Sequence, residues 1–281
     1  MGPGAGYGDR VTIRLVATDL DGTLLDPAGR IDERTAIAIR AARLAGIHVV
    51  PVTGRPPHGV WDLAARAGLG PVGVCSNGAA TVDLTTKEII DTETLGRDIA
   101  LRLSLALRAA CPGIILAVDL ADRFWYESGF FPGPPEWDET VVEVSDIVDV
   151  LGPECFKLVA RKPGRSAAEL IAEVAEHVGE EGYLTTSGLD WIDIGALGVT
   201  KAYAMERVCD RLSVGVDEVA AIGDNHNDLP LLAWAGTAMA PANAIPEAKA
   251  LAERILPANA DHGVATLLEE LVAQRSRAPS R

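Results

Sequence analysis

Residues 11–17 (Val-Thr-Ile-Arg-Leu-Val-Ala) form an apolar run of strand length, and it spills into Asp19 and Asp21 with Gly22 behind them. The run is rich in β-branched residues, as strands are. Acids at its carboxyl end do nothing for packing. They suit a site, because ligands of open α/β sheets bind outside the carboxyl ends of the strands. Two carboxylates two residues apart can offer oxygens to a hard cation, or divide into a nucleophile and an acid. Gly22 can take backbone angles closed to other residues, so the chain can turn sharply there. Asp-Gly also marks ordinary surface turns. The residues that follow (Thr23, Leu24, Leu25) and the partners that appear later favour a site over a turn.

The same rhythm recurs. Apolar residues at helical spacing predict a helix over 31–45, with Gly46 as its C-cap. A short buried strand over 47–52 ends in Thr53-Gly54-Arg55, and a helix over 60–67 is closed by Gly68. A third strand over 72–75 ends in Ser76-Asn77-Gly78. Three strand–loop–helix units with polar loops at one end predict an α/β fold with a parallel sheet. From Gly198 the rhythm returns: a helix over 200–212, a strand over 218–222 ending in Asp224-Asn-His-Asn-Asp228, a helix over 229–235, a strand over 237–240, and helices over 245–252 and 263–273. Between these blocks lie paired short strands (80–92), a helix (98–110), strands (114–119, 154–161, one or two in 183–193), a helix (166–178) and a loop-rich, aromatic stretch (122–138). The expected fold is therefore a Rossmann-like parallel-sheet core over 10–82 and 192–275, with an inserted α+β cap over 83–191. Residues 1–9 and 276–281 are expected to be flexible termini.

Composition removes several functions. The chain has 281 residues and a net charge of −15. That disfavours nucleic acid and anionic membrane as partners, since both need clustered Lys and Arg. Phosphate-bearing substrates stay open, because a bound metal can make a site locally cationic. The cysteines (Cys75, Cys111, Cys155, Cys209) are widely and irregularly spaced, with no zinc framework. They read as reduced core thiols of a cytoplasmic protein. No apolar run approaches a membrane span, and the N-terminus has neither the basic start nor the apolar stretch of a signal peptide.

Gathered at one sheet edge, Asp19, Asp21, Thr53, Lys201, Asp224 and Asp228 would bring together four carboxylates, a hydroxyl and an ammonium. No His/Ser or His/Cys pair joins them, which disfavours a triad. Oxygen-rich ligands without His or Cys suit magnesium. Phosphoryl transfer needs that combination, because an anionic ester and a carboxylate nucleophile repel until cations offset their charge.

These residues resemble the haloacid dehalogenase-like hydrolases, in four motifs kept in order across nearly the whole chain. The first is Asp-Leu-Asp-Gly-Thr-Leu-Leu over 19–25; the others are Val-Thr-Gly-Arg over 52–55, Gly-Val-Thr-Lys over 198–201 and Gly-Asp-Asn-His-Asn-Asp over 223–228. Ser76-Asn77-Gly78 and Asp-His-Gly-Val over 261–264 further resemble the Cof-like branch, which carries a large α/β cap. The resemblance implies Asp19 as nucleophile, forming an aspartyl-phosphate, and Asp21 as the acid that then becomes the base. It implies that Thr53 hydrogen-bonds the phosphoryl and that Lys201 neutralises it and holds Asp19 in place. Magnesium would sit on Asp19, Asp224 and the backbone carbonyl of Asp21, with Asp228 orienting that shell. Leu20 and Gly54 would help bind the phosphate, Asn77 and Asn227 would position the phosphate or the metal's waters, and Arg55 would bind substrate or pin its loop. Ala202 departs from the glycine usual in the branch; alanine is well tolerated in a first helical turn.

The expected activity is a magnesium-dependent phosphatase acting on a small phosphorylated metabolite, a sugar phosphate or a relative of one. The protein is expected as a monomer or homodimer. A phosphomutase of the same capped fold is the nearest alternative and would need cationic cap residues for a second phosphate. A non-catalytic binding module and a dehalogenase are disfavoured because all the acids are kept. In the cap, Arg123, Trp125, Tyr126, Lys157, Arg161 and Trp191 are candidates for reading the leaving group.

Overall fold

The structure, a computed structural model, describes residues 12–131, 140–153 and 155–277. The expected N-terminal arm, the end of the tail, Trp137 and Glu154 lie outside them. The chain begins with strand β1 (Leu15–Thr18), helix α1 (Glu33–Leu44), β2 (His48–Pro51), α2 (Trp61–Ala67) and then β3 (Val72–Cys75), β4 (Ala80–Asp83) and β5 (Glu88–Thr92). Next come α3 (Arg97–Ala110), β6 (Ile115–Leu120), β7 (Phe124–Glu127), β8 (Val141–Val144), β9 (Cys155–Arg161), α4 (Ala167–Val178), β10 (Tyr183–Thr185) and β11 (Trp191–Gly195). It closes with α5 (Lys201–Leu212), β12 (Val219–Ile222), α6 (Leu229–Trp234), β13 (Thr237–Pro241), α7 (Pro246–Leu251), β14 (Arg254–Leu256) and α8 (Gly263–Arg277).

Among the described residues the core sheet has the order β14-β13-β12-β1-β2, and every pairing is parallel. A parallel sheet is covered on both faces, so its strands are apolar throughout. All four residues of β1 are buried. Val16 packs with Ile39 and Ala42 of α1 and Leu267 and Leu268 of α8. Its neighbours Leu15 and Ala17 point the other way, to Met205 and Val208 of α5 and Leu231 of α6. Each fully buried Leu, Val or Met contributes about 1.5–3 kcal/mol. Helix starts follow their caps: the Asp32 carboxylate accepts from Thr35 N at 2.6 Å before α1, and Thr200 Oγ1 accepts from Tyr203 N at 3.2 Å in α5.

A second, mixed sheet has the order β10-β11-β9-β6-β7-β8. The two-residue period divides its faces. Leu116, Val118, Leu158, Ala160, Ile192 and Ile194 pack on α3 and α4 through Leu103, Leu107, Leu170 and Val174. The opposite face carries Ala117, Val159 and Trp191 beside Phe124 and Phe130, and also the buried charged residues Asp119, Lys157 and Asp193. The parallel core with a separate second sheet is the expected architecture.

Three expectations change. The strand over 72–75 forms, but not in the parallel sheet and not before a helix. It meets the chain just past β2 through the parallel bridge Val52–Val74 and the Thr53 N–H, which donates to the Val74 carbonyl at 2.9 Å, and it pairs antiparallel with β4, which pairs with β5. The cause is the turn at Ser76 and Asn77, whose φ angles of 52° and 58° reverse the chain. The loop-rich stretch 122–138 contains β7, an aromatic run, and β8 follows it. The three-residue β14 was too short to be seen as a strand by its pattern. Because β5 belongs with β3 and β4, and β11 runs to Gly195, we propose that the insertion begins after Thr92 and ends near Gly195 rather than at 83 and 191.

Candidate active site

The carboxyl ends of β1, β2 and β12 point into one cavity of about 560 Å³. Asp19 leaves β1 there, Thr53 and Gly54 leave β2, and Asp224, Asn225 and Asn227 leave β12; all line the cavity, as do Asp21, Gly22 and Arg55. The second sheet closes it from above with Phe124, Phe131, Val141, Val159, Lys157 and Trp191.

Lys201 opens α5, is fully buried and lies beneath the cavity rather than in its wall. Its Nζ is 2.6 Å from Asp19 Oδ1 and 2.6 Å from Asp228 Oδ1. The other Asp228 oxygen accepts from the N–H groups of Asp224 and Asn225 at 2.9 and 3.0 Å. Asp228 therefore has both oxygens engaged and orients its neighbours. Asp224 Oδ1 accepts from Thr23 Oγ1 at 2.6 Å. Gly22 is required by this packing: its φ is 79°, and a Cβ there would lie 2.5 Å from Asp224 Oδ2. Asn243 pins the same turn, its Nδ2 donating to the Gly22 carbonyl at 2.7 Å.

Oxygens of Asp19, Asp224 and Asp228 all lie within 4.8 Å of one another, and all three residues are buried. One ammonium faces three acids. Burial pushes the Asp19 carboxyl well above its usual range, against the pull of Lys201, and the neighbouring Asp228, Asp224 and Asp21 push it further. Burial and then Asp228 raise Asp224 to about 6, against Thr23 and Lys201. For Lys201 burial alone would favour the neutral amine, but Asp19 and Asp228 outweigh it and hold the ammonium above its ordinary value. Three carboxylates against one ammonium leave an excess of negative charge. The donors are oxygens alone, which fits a hard divalent cation such as magnesium and not zinc.

Other expected residues fall into three positions. Arg55 holds both oxygens of Asp21, at 2.7 and 2.6 Å, so it pins that acid as well as facing the cavity. The Leu20 side chain is fully buried in the core, so only its backbone can meet a phosphate. Asn77 does not line the cavity; it lies under Gly54, donating to Asp193 at 2.9 Å and accepting from Asn227 at 3.0 Å. Of the cap candidates, Lys157 and Trp191 reach the cavity. Arg161 donates to the Phe130 carbonyl at 2.8 Å, Arg123 lies 5.8 Å over the Trp125 ring, and Trp125 packs on the helical side of the sheet. Asp119, Asp193, Ser76 and Thr23 were missed. The first two could have been found as lone acids inside otherwise apolar strands (Ile-Leu-Ala-Val-Asp-Leu and Trp-Ile-Asp-Ile-Gly).

The chain belongs to the haloacid dehalogenase-like hydrolases, whose family pattern matches residues 16–268. It is an enzyme of the phosphatase kind within that family. Among its relatives is the protein named "Putative phosphatase YxeH" of Bacillus subtilis (strain 168), 30% identical over 92% of this chain and 98% of the relative. The pyridoxal phosphate phosphatase YbhA of Escherichia coli (strain K12) is 26% identical over 92% of this chain and 98% of its own length. Of solved structures, SMU.1108c from Streptococcus mutans UA159 superposes with a TM-score of 0.81 at 22% identity, covering 93% of this chain and all of that one. Among the described residues no helix is long and apolar enough to cross a membrane.

Proposed function

We propose that the protein hydrolyses the phosphate monoester of a small ring-bearing metabolite, a sugar phosphate or a relative of one, with magnesium, through an aspartyl-phosphate at Asp19. The observation that carries this is the placement of Asp19 in the cavity floor with Oδ1 tied to the buried Lys201 ammonium. That contact fixes the carboxylate and leaves Oδ2 to attack. Magnesium would be held by Asp19, Asp224 and the Asp21 carbonyl, with Asp228 behind them, and would supply the charge that lets two anions meet.

In the first half-reaction Asp19 Oδ2 bonds to phosphorus and the bond from phosphorus to the leaving oxygen breaks. Asp21 gives its proton to that oxygen. In the second, Asp21 takes a proton from water, the water oxygen bonds to phosphorus, and the acyl-phosphate bond breaks to free phosphate and Asp19. One group serves as acid and then base because the proton runs the opposite way. Arg55 must release Asp21 for this, so the incoming phosphate competes with Asp21 for the guanidinium. Thr53 and the Gly54 backbone hold the phosphoryl oxygens.

The leaving group faces an apolar wall of Phe124, Phe131, Val141, Val159 and Trp191, which suits the flat face of a sugar or another ring. Among the described residues the Lys and Arg side chains lining the cavity are Arg55 and Lys157, already bound to Asp21 and Asp193. The adjoining residues 132–139 contain no Lys or Arg. Among the described residues a second phosphate therefore has no cationic seat of its own, which disfavours the phosphomutase. We place the enzyme in the cytoplasm, where its four cysteines, all free and buried, stay reduced. A panel of about a hundred phosphorylated metabolites, assayed with magnesium for phosphate release and for isomerised product, tests the reading against the size of such a pocket. Ring-bearing monophosphate monoesters should lead; a preference for bisphosphates, or isomerised ester in place of phosphate, would refute it.

A further inference from the structure

Lys157 and Asp193 take no part in the chemistry above, yet both are buried charged residues of the second sheet that reach the core loops. Lys157 stands opposite Asp119 on β6 and opposite Gly195 on β11, with Asp193 two residues along on the same face. Its Nζ donates to Asp193 Oδ1 at 2.9 Å and to the Gly54 carbonyl at 2.8 Å. Asp193 Oδ2 accepts from Asn77, whose Oδ1 accepts from Asn227. A chain of bonds thus runs from the second sheet, under the Thr53-Gly54 loop, to the loop after β12. Gly54 rests directly on it: a Cβ there would be 3.0 Å from Asn77 Oδ1 and 3.5 Å from Asn227 Nδ2.

The Gly54 carbonyl and the Arg55 N–H belong to one peptide group. That N–H donates to Thr53 Oγ1 at 3.1 Å. An ammonium on the carbonyl polarises the amide and strengthens the N–H as a donor. A hydroxyl that accepts from the N–H keeps its one hydrogen to donate, and Thr53 lines the cavity beside Asp19. We propose that Lys157 and Asp193 are positioning residues that fix peptide 54–55 and, through it, the Thr53 hydroxyl, so that the phosphate loop is complete only while the second sheet is seated on the core. This rests on the phosphatase reading.

The test is a double-mutant cycle. Lys157→Met should lower kcat/KM for p-nitrophenyl phosphate about 10- to 100-fold, mostly in kcat, the scale of a slightly misplaced reacting group. In a Thr53→Val background the same change should cost less than about threefold, because the group it acts through is gone. Orthovanadate affinity, measured by calorimetry with magnesium, should follow the same pattern without turnover. A full loss in both backgrounds would overturn the proposal, as would an unchanged kcat in Lys157→Met. If circular dichroism shows the single variant unfolded, Lys157→Met with Asp193→Leu and Asp119→Asn takes its place, since it removes the buried ammonium together with both buried carboxylates it faces. Failure of the phosphatase reading looks different: the wild type would release no phosphate from any ester.

Discussion

Replacing Lys201 by Met removes the buried ammonium that pairs with Asp19 and Asp228 and whose charge also reaches Asp224. The side chain is fully buried, and both ion pairs are 2.6 Å long, to an Asp19 that is 5% exposed and an Asp228 that is 0% exposed. Methionine fills a similar volume, so the loss is electrostatic rather than a cavity. Breaking a buried pair from one side costs about 3–5 kcal/mol, because a charge is left without compensation. The acids can escape part of this by taking up protons. Asp19 and Asp224 already lie above the unfolded 3.8, and the variant loses the ammonium that pulls both down. Protonation in the fold therefore stabilises the variant at low pH, and that stabilisation is lost as pH rises. Without magnesium at pH 8, urea unfolding should show the variant about 3–5 kcal/mol less stable than wild type, with a smaller gap at pH 5. Magnesium should narrow the gap at pH 8 by binding the folded state. A variant within about 1 kcal/mol of wild type at pH 8, the median for an exposed pair, would refute the claim that Lys201 compensates this cluster.

Asp119 offers a second charge test away from the cluster. Burial raises it to about 7 against Lys157 and the Ser76 hydroxyl, which donates to Oδ2 at 2.7 Å, while Oδ1 has no partner among the described residues. Its folded pKa exceeds the unfolded 3.8, so its contribution is intact below pH 4 and lost between 4 and 7. That shift corresponds to up to about 4 kcal/mol, so Asp119→Asn should gain on wild type by up to that amount from pH 4 to 8; a pH-independent difference would refute it. Asp224 titrates near 6, so protons compete with magnesium there, and half-saturating magnesium should rise about tenfold per pH unit below 6. An unchanged half-saturation between pH 5 and 7.5, or full turnover after chelation, would remove Asp224 from the metal site. Trp191→Ala should raise KM for ring-bearing monophosphates about tenfold, the upper end of one lost aromatic contact, and leave KM for a small acyclic ester nearly unchanged; equal effects on both would deny the stacking wall.

What was legible in the sequence was whatever local pattern controls. Val16 with its alternating neighbours, Asp32, Thr200 and the glycine at position 22 each announce a strand, a cap or a turn from nearby residues alone. The core acids were visible because each follows a strand. The fate of β3 was not, since it hangs on Ser76 and Asn77 taking left-handed angles, which asparagine adopts readily but serine rarely. Lys201 was expected to neutralise the phosphoryl and hold Asp19; its contact with Asp228 as well depends on the approach of helix α5 to the loop after β12, which no local pattern gives. Arg55 could bind substrate or pin a loop, and only its spatial approach to Asp21 shows the second role. Asp119, Lys157 and Asp193 depend on which face of the second sheet meets the core. Strand alternation puts them on one face, but no short-range signal says what that face touches.

The central claim is that Asp19 accepts the phosphoryl group. Acid-quenched enzyme, mixed with a turning-over phosphate monoester and magnesium, can be digested and read by mass spectrometry. The peptide bearing Asp19 should carry one base-labile phosphoryl group, absent in Asp19→Asn, which should also release no phosphate. Phosphate release by the wild type with no phosphoryl on Asp19, or with Asp19→Asn turning over near the wild-type rate, would contradict the account.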